Sequence, residues 1–214
     1  MFRIITIERE YGCGGAEIAR ALADRLGWRL WDHALTEEIA RVANVDSACV
    51  QRCEERVDST FQRLARIFLR GSYERSMAPS GADPFDTDCM VAVGKEVMEK
   101  VAAAGNAVIV GRGAPYFLRE YPGVFHVFLY AARGEKLKRL QRQGKSAQEA
   151  EELVDTVDRD RLTFVKHYFN ADWPTRSLYH LMINTAIGNE NVLSIICETM
   201  QTLEASPRKV TQPA

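Results

Sequence analysis

A β-branched run, a turn rich in glycine and an amphipathic helix follow one another at the start of the chain, and this order restricts the fold more than any other feature. Phe2-Arg3-Ile4-Ile5-Thr6-Ile7 reads as a buried strand. Glu8 to Gly15 interrupts it with three glycines, at 12, 14 and 15. Ile18, Ala19, Leu22, Ala23 and Leu26 then recur at helical spacing, and Gly27 ends the helix. Glycines let a backbone turn tightly and aim its N–H groups inward, and a helix N-terminus adds partial positive charge. Such a turn cradles a phosphate. A bare tight turn is the alternative, but the position between strand and helix favours phosphate binding, assigned to Gly12, Cys13, Gly14, Gly15, Ala16 and Glu17.

The rest of the chain repeats the alternation. Trp28 to Trp31 reads as a second short strand, followed by a helix with Leu35, Ile39 and Val42 on one face. Val50, Val57, Phe61, Leu64 and Phe68 stripe a long amphipathic helix over residues 48–70, taken as core, and 71–88 reads as a loop. Met90 to Ala104 returns to helix. Ala107 to Val110, Phe125 to Tyr130 and Tyr179 to Ile183 are the remaining strands. Glu135 to Gln143 is a basic helix, and Ser146-Ala147-Gln148-Glu149 has the form of a capping box opening another. Glu190 to Leu203 is the last helix, and residues 206–214 form a polar tail expected to be flexible. Strands separated by helices imply an α/β fold with a mainly parallel five-stranded sheet flanked by helices. Roughly seventy residues separate the second and third strands, far more than a crossover of about a dozen requires, so a helical insertion over about 35–104 is expected.

The chain of 214 residues fits one domain over about 1–205. Its 28 basic and 29 acidic residues leave a net charge of −1, which argues against bulk electrostatic binding of nucleic acid. No apolar run is long enough for a membrane span, and the opening residues are too short an apolar run for a signal peptide. Five scattered cysteines (13, 49, 53, 89 and 197) without a CxxC pair point to reduced thiols in the cytoplasm, and only Cys13 lies in a loop of functional promise.

Aligning Gly12 to Glu17 with the Walker pattern G-x-G-K-x-[ST] puts Gly15 where lysine would be and Glu17 where the metal-binding hydroxyl would be. Arg112 directly follows a buried strand, at the end where ligands of parallel sheets sit, and its guanidinium suits a phosphate. Asp158 and Arg161 share a helix face within the run from Asp155 to Arg161, and such a run also fits a solvated surface. Asp32 is either a phosphate-side or metal carboxylate or a helix N-cap. His33, His126, His167 and His180 are isolated and read as no metal site. Trp173 is taken to pack a loop, with base stacking as the alternative.

The stretch Ile7-Glu8-Arg9-Glu10-Tyr11-Gly12-Cys13-Gly14-Gly15, the segment Ala107-Val108-Ile109-Val110-Gly111-Arg112-Gly113-Ala114, the pair Asp158-x-x-Arg161 and the span from Asp172-Trp173 to Asn184-Thr185 together resemble the cytidylate kinase-like family of P-loop proteins. The resemblance runs in order from about residue 2 to residue 200 and is more specific than any one motif. It implies a P-loop NTPase-type, kinase-like domain with a lid over about residues 131–165. It also implies Arg112 facing substrate phosphate, Asp158 and Arg161 on the pentose and cytosine side of CMP, and lid arginines at Arg133, Arg139 and Arg142. Arg112, Arg139 and Arg142 are the expected catalytic residues.

The departures are specific. Cytidylate kinases keep the Walker lysine and flank the Gly-Arg pair with aspartates, where this chain has Gly15, Val110 and Gly113. The family usually carries arginine at the position of Ala16 and a polar residue near Pro115. These losses bear on catalysis more than on binding. The function implied is ATP-dependent phosphoryl transfer to CMP or dCMP with Mg2+, with Lys95, Lys138 or Lys145 as replacements for the absent lysine. Nucleotide binding without turnover, as a sensor or assembly partner, stays open, as does a kinase for another small acceptor.

Overall fold

The computed structural model describes residues 1–42 and 87–206. Strands β1 (Ile4–Arg9), β2 (Arg29–Trp31), β3 (Ala107–Val110), β4 (Val124–Tyr130) and β5 (Leu181–Asn184) form one sheet in the order β2-β3-β1-β4-β5. Every pairing is parallel, with Ile7 beside Val110 and Val127, and Tyr130 beside Asn184. The expected five-stranded parallel sheet is therefore present. Leaving β1, the chain steps out to β2, returns to β3 beside β1, and then crosses to β4 on the other side. Ligands of such sheets sit beyond the carboxyl ends of the strands where this order reverses, which here is the end of β1.

Central strands buried on both faces lose the in–out alternation of a half-exposed sheet. All of β1 and β3 is buried, which explains why both read as unbroken apolar runs. On one face Ile5, Val108 and Val127 pack under α1 (Gly15–Leu26) and α7 (Asn189–Ala205), through Ile18, Leu22, Val192 and Ile196. On the other, Ile109 and Phe128 meet α2 (His33–Val42), α3 (Thr87–Ala104) and α6 (Ala147–Phe169) through Leu35, Met98 and Phe164. The capping box at Ser146 is made, its Oγ accepting from the Glu149 N–H at 3.1 Å.

Several details differ from the sequence reading. A four-residue helix, α4 (Ala114–Phe117), follows β3. Tyr179 and His180 precede β5 rather than opening it, because Tyr179 N–H closes a 3-10 turn onto Arg176 O at 3.4 Å. Thr87 and Asp88, read as loop, begin α3. The amphipathic stripe of residues 48–70 and the tail beyond 206 lie outside the described residues. Among the described residues no helix is long and apolar enough to cross a membrane.

His126 lies in the middle of β4, fully buried, with Nδ1 2.6 Å from Thr6 Oγ1 and its ring 5.5 Å from that of His180. Burial, with a smaller contribution from His180, pushes its pKa down to about 3. The folded protein thus keeps this imidazole neutral at pH values where the unfolded chain protonates it. Stability is fully present above the unfolded pKa of about 6.5 and falls as pH drops below it, by about 2 kcal/mol at pH 5. Burial shifts His180 in the same direction. Denaturant midpoints measured from pH 7 to pH 5 should show this loss, and His126→Gln should flatten it. A wild-type midpoint constant over that range would contradict the assignment.

Candidate functional site

At the end of β1 the backbone of Gly12 (φ +74°) and Gly14 (φ +85°) turns left-handed, which only glycine adopts freely. Gly14 is the N-cap of α1 and has no side chain to cap with. The first N–H groups of any helix have no carbonyl within the helix to reach, so the start of α1 presents donors to the turn. Two bonds anchor the turn from below. Thr185 Oγ1 donates to Cys13 O at 2.7 Å, and Cys13 Sγ donates to Leu129 O at 3.6 Å. The Cys13 thiol therefore faces the core, and burial pushes its pKa up to about 11 even though the Gly15 N–H favours the thiolate. Cys13 thus turns its sulfur away from the turn, and its N–H donates to Glu10 O at 3.4 Å. Ala16 and Glu17 are exposed in the first turn of α1.

Helices α5 (Arg133–Arg142) and α6 fold back across the turn. Tyr11, at the entry to the turn, is buried in a small cluster with Leu140, Ala150 and Val154. The Lys136 stem lies against Gly12, where an added methyl would come within 3.2 Å of its Cβ. Lys136 Nζ bridges Glu10 Oε2 at 2.8 Å and Asp158 Oδ2 at 3.3 Å. Burial alone would lower the pKa of this ammonium, but the two carboxylates outweigh it and raise the value. The Arg139 guanidinium covers Gly14 and donates to Gly12 O at 3.2 Å. Asp158 Oδ1 accepts from Tyr11 N–H at 2.8 Å and from Arg161 Nη1 at 3.0 Å. Arg161 Nη1 also donates to Arg9 O at 2.8 Å. The pair read from the sequence as acceptor-binding thus grips the backbone on the strand side of the glycine turn.

A second turn faces the first. Gly111, Arg112 and Gly113, directly after β3, have φ of +67°, +55° and +71°. A non-glycine residue held left-handed is uncommon, and such residues cluster at functional sites. Arg112 is buried at this turn and donates to Val110 O at 3.3 Å and to Thr36 Oγ1, with Asp32 Oδ1 at 3.5 Å from its Nη1. Burial lowers its pKa to about 10, Asp32 opposes that shift and Arg9 adds to it. It stays cationic at neutral pH. Asp32 uses its carboxylate on Arg112, which accounts for its place at the end of β2.

The other basic candidates lie elsewhere. Lys95 pairs with Glu99, Lys138 with Glu135 and Lys145 with Glu149, all within surface helices or at their ends. None of these three pairs reaches the glycine turn. Arg133 bonds Asp155 on the neighbouring helix, Nη2 to Oδ2 at 3.1 Å, and Arg142 is exposed at the end of α5. Trp173 packs edge-on against Phe128, with ring centroids 5.5 Å apart. Sequence reasoning passed over Arg9, Glu10 and Lys136. Lys136 had a readable signal, since it lies three residues before Arg139 and shares its helix face.

These two turns and the helix pair over them can be compared with known proteins. Residues 4–187 match the sequence model of the cytidylate kinase-like family. The chain belongs to that family. A cytidylate kinase of Methanosarcina barkeri is 27% identical over 147 residues, 67% of this chain and 79% of that protein. An uncharacterized protein from Eubacterium ventriosum has a similar solved structure, with a TM-score of 0.67 at 20% identity over 94% of this chain and 99% of its own. A shikimate kinase from Bacteroides thetaiotaomicron aligns with a TM-score of 0.52 at 17% identity, over 92% and 98% of the two chains. The solved structures agree with this cytidylate kinase-like chain on the fold.

Among the described residues no three His, Cys, Asp or Glu side chains converge as a metal site. Mg2+ is suited to such a place, because it keeps several waters and binds through one or two carboxylates plus substrate phosphates. Glu8, whose Oε1 is 3.6 Å from Arg9 Nη1, and Asp32, whose Oδ1 is 3.5 Å from Arg112 Nη1, are carboxylates at the ends of β1 and β2.

Proposed function

We propose that this chain transfers a phosphoryl group from ATP to a nucleoside monophosphate, CMP or dCMP. The observation that carries the proposal is the pairing of two cationic turns at neighbouring strand ends. One is the glycine turn under Lys136 and Arg139, and the other holds the buried Arg112. Donor phosphates sit on the backbone of residues 12–17, with Arg139 over them. Arg112 meets the acceptor phosphate with its fork. Arg161 spends Nη1 on Arg9 O and Asp158, so in this reading its Nε and Nη2 serve the pentose and cytosine side together with Asp158. Arg142 closes from the end of α5. Mg2+, held by Glu8 or Asp32 with the ATP phosphates, supplies charge neutralisation at the transferring group. Phosphoryl transfer of this kind depends on positioning and charge stabilisation more than on covalent help from the protein.

A coupled ATP-consumption assay against a panel of nucleoside monophosphates tests the acceptor. CMP and dCMP should give the highest kcat/KM. A larger value for another monophosphate would overturn the choice of acceptor. ATP binding with no monophosphate phosphorylated would replace turnover by a sensing or assembly role.

A further inference from the structure

We infer that Arg9 does at the glycine turn the work of the lysine absent at position 15, offering its guanidinium to the outer phosphates of a bound triphosphate, an inference that rests on the phosphate-transfer reading above. Gly15 lies inside α1 without a left-handed φ, so its backbone does not call for glycine. Alanine is the better helix former there. What excludes a side chain is Arg9. A methyl at Gly15 would lie 2.9 Å from Arg9 Cγ and 3.0 Å from Arg9 Cβ, stem atoms too near the backbone to swing away. At Gly111 a methyl would lie 2.1 Å from Arg9 Nη1. Gly111 has a left-handed φ of +67° that favours glycine by itself, so the space taken by Arg9 accounts for the glycine at position 15. The Arg9 stem fills the space beside Gly15, and its head comes down between the glycine turn and the Gly-Arg-Gly turn.

Three guanidinia meet around Arg9, each with one carboxylate beside it: Glu8 at Arg9, Asp32 at Arg112 and Asp158 at Arg161. Arg9 is buried, and its Nη1 stands 3.6 Å from Glu8 Oε1. Burial and then the nearby Arg161 lower its pKa, while Glu8 and Asp32 act the other way. Arg112, itself depressed in part by Arg9, adds a third guanidinium to the same region. Lys136, the lysine nearest in role, is already bridged by two carboxylates. A polyphosphate entering the cradle meets these guanidinia, and Arg9 is the one whose stem occupies the lysine's place.

Calorimetry with ATP, tripolyphosphate and AMP on the purified protein provides the test. Arg9→Met keeps the stem and removes the charge. Affinity for ATP and tripolyphosphate should fall about ten- to hundredfold, while that for AMP changes by less than about twofold. The swap Arg9→Ala with Gly15→Lys should recover at least about tenfold of the ATP affinity lost in Arg9→Met. Should Arg9→Met not fold, Gly15→Ala keeps every charge but displaces the Arg9 stem, and should weaken ATP selectively in the same way. ATP affinity unchanged in whichever of these variants is folded, an equal loss for ATP and AMP, or a swap without recovery would overturn the role of Arg9 and leave the proposed function standing. An unmodified protein that binds neither ATP nor tripolyphosphate would overturn both.

Discussion

Arg112→Ala is expected to lower the unfolding free energy by about 3–5 kcal/mol and kcat/KM for the acceptor by about ten- to hundredfold. The stability loss follows from burial. The Arg112 side chain is 1% exposed and that of Asp32 12%, so truncation leaves a carboxylate facing the space its guanidinium filled. Val110 O and Thr36 Oγ1 lose a donor as well. The activity loss follows from the fork offered to the acceptor phosphate. Arg112→Lys separates the two effects, because it keeps the charge beside Asp32 but presents no planar pair of donors. It should recover most of the stability, read as a denaturant midpoint, and little of the kcat/KM. A stable, fully active Arg112→Ala protein would remove Arg112 from both roles.

Gly14→Val is expected to weaken ATP binding by at least about a hundredfold while the fold survives, since several phosphate–amide bonds are lost together. Its φ of +85° is a genuine outlier for a β-branched residue. Its new Cβ would stand 2.9 Å from the Arg139 guanidinium, in the space that this guanidinium covers. Arg139 is a long side chain and can move, so the overlap falls on the site rather than on the core. Replacing the N-cap by valine costs about 1 kcal/mol of helix stability, too little to unfold a domain of ordinary stability. Calorimetry on the folded variant reads the outcome, and an ATP affinity equal to wild type would rule out Gly12–Glu17 as the phosphate site.

What the sequence made legible was local. β1, the glycine turn and α1 are readable because each is continuous and each carries its own signal: a β-branched run, three glycines, then a 3.6-residue period. β3 is readable for the same reason, and its end marks the place of Arg112 from sequence alone. The chain's resemblance to the cytidylate kinase-like family carried the order of the segments. The charge wiring was not legible. Glu10, Lys136 and Asp158 are joined only because α5 and α6 lie back over the turn, and no local pattern announces a bond spanning that much chain. Arg9 was hidden for a different reason. Its role shows only in the glycine that its stem makes obligatory, at 15, and in sequence that reads as a turn residue. The α4 turn and the start of β5 were missed because their few residues are set by hydrogen bonds to neighbours rather than by periodicity.

The central claim is transfer of the γ-phosphoryl group, and following a radiolabel from the γ-phosphate of ATP tests it most directly. Purified protein with Mg2+, labelled ATP and CMP should place the label in CDP, with little appearing as inorganic phosphate, on the proposal that the two turns hold donor and acceptor together. Label remaining in ATP, or released only as phosphate, while calorimetry shows ATP and CMP both bound, would rule out phosphoryl transfer to CMP.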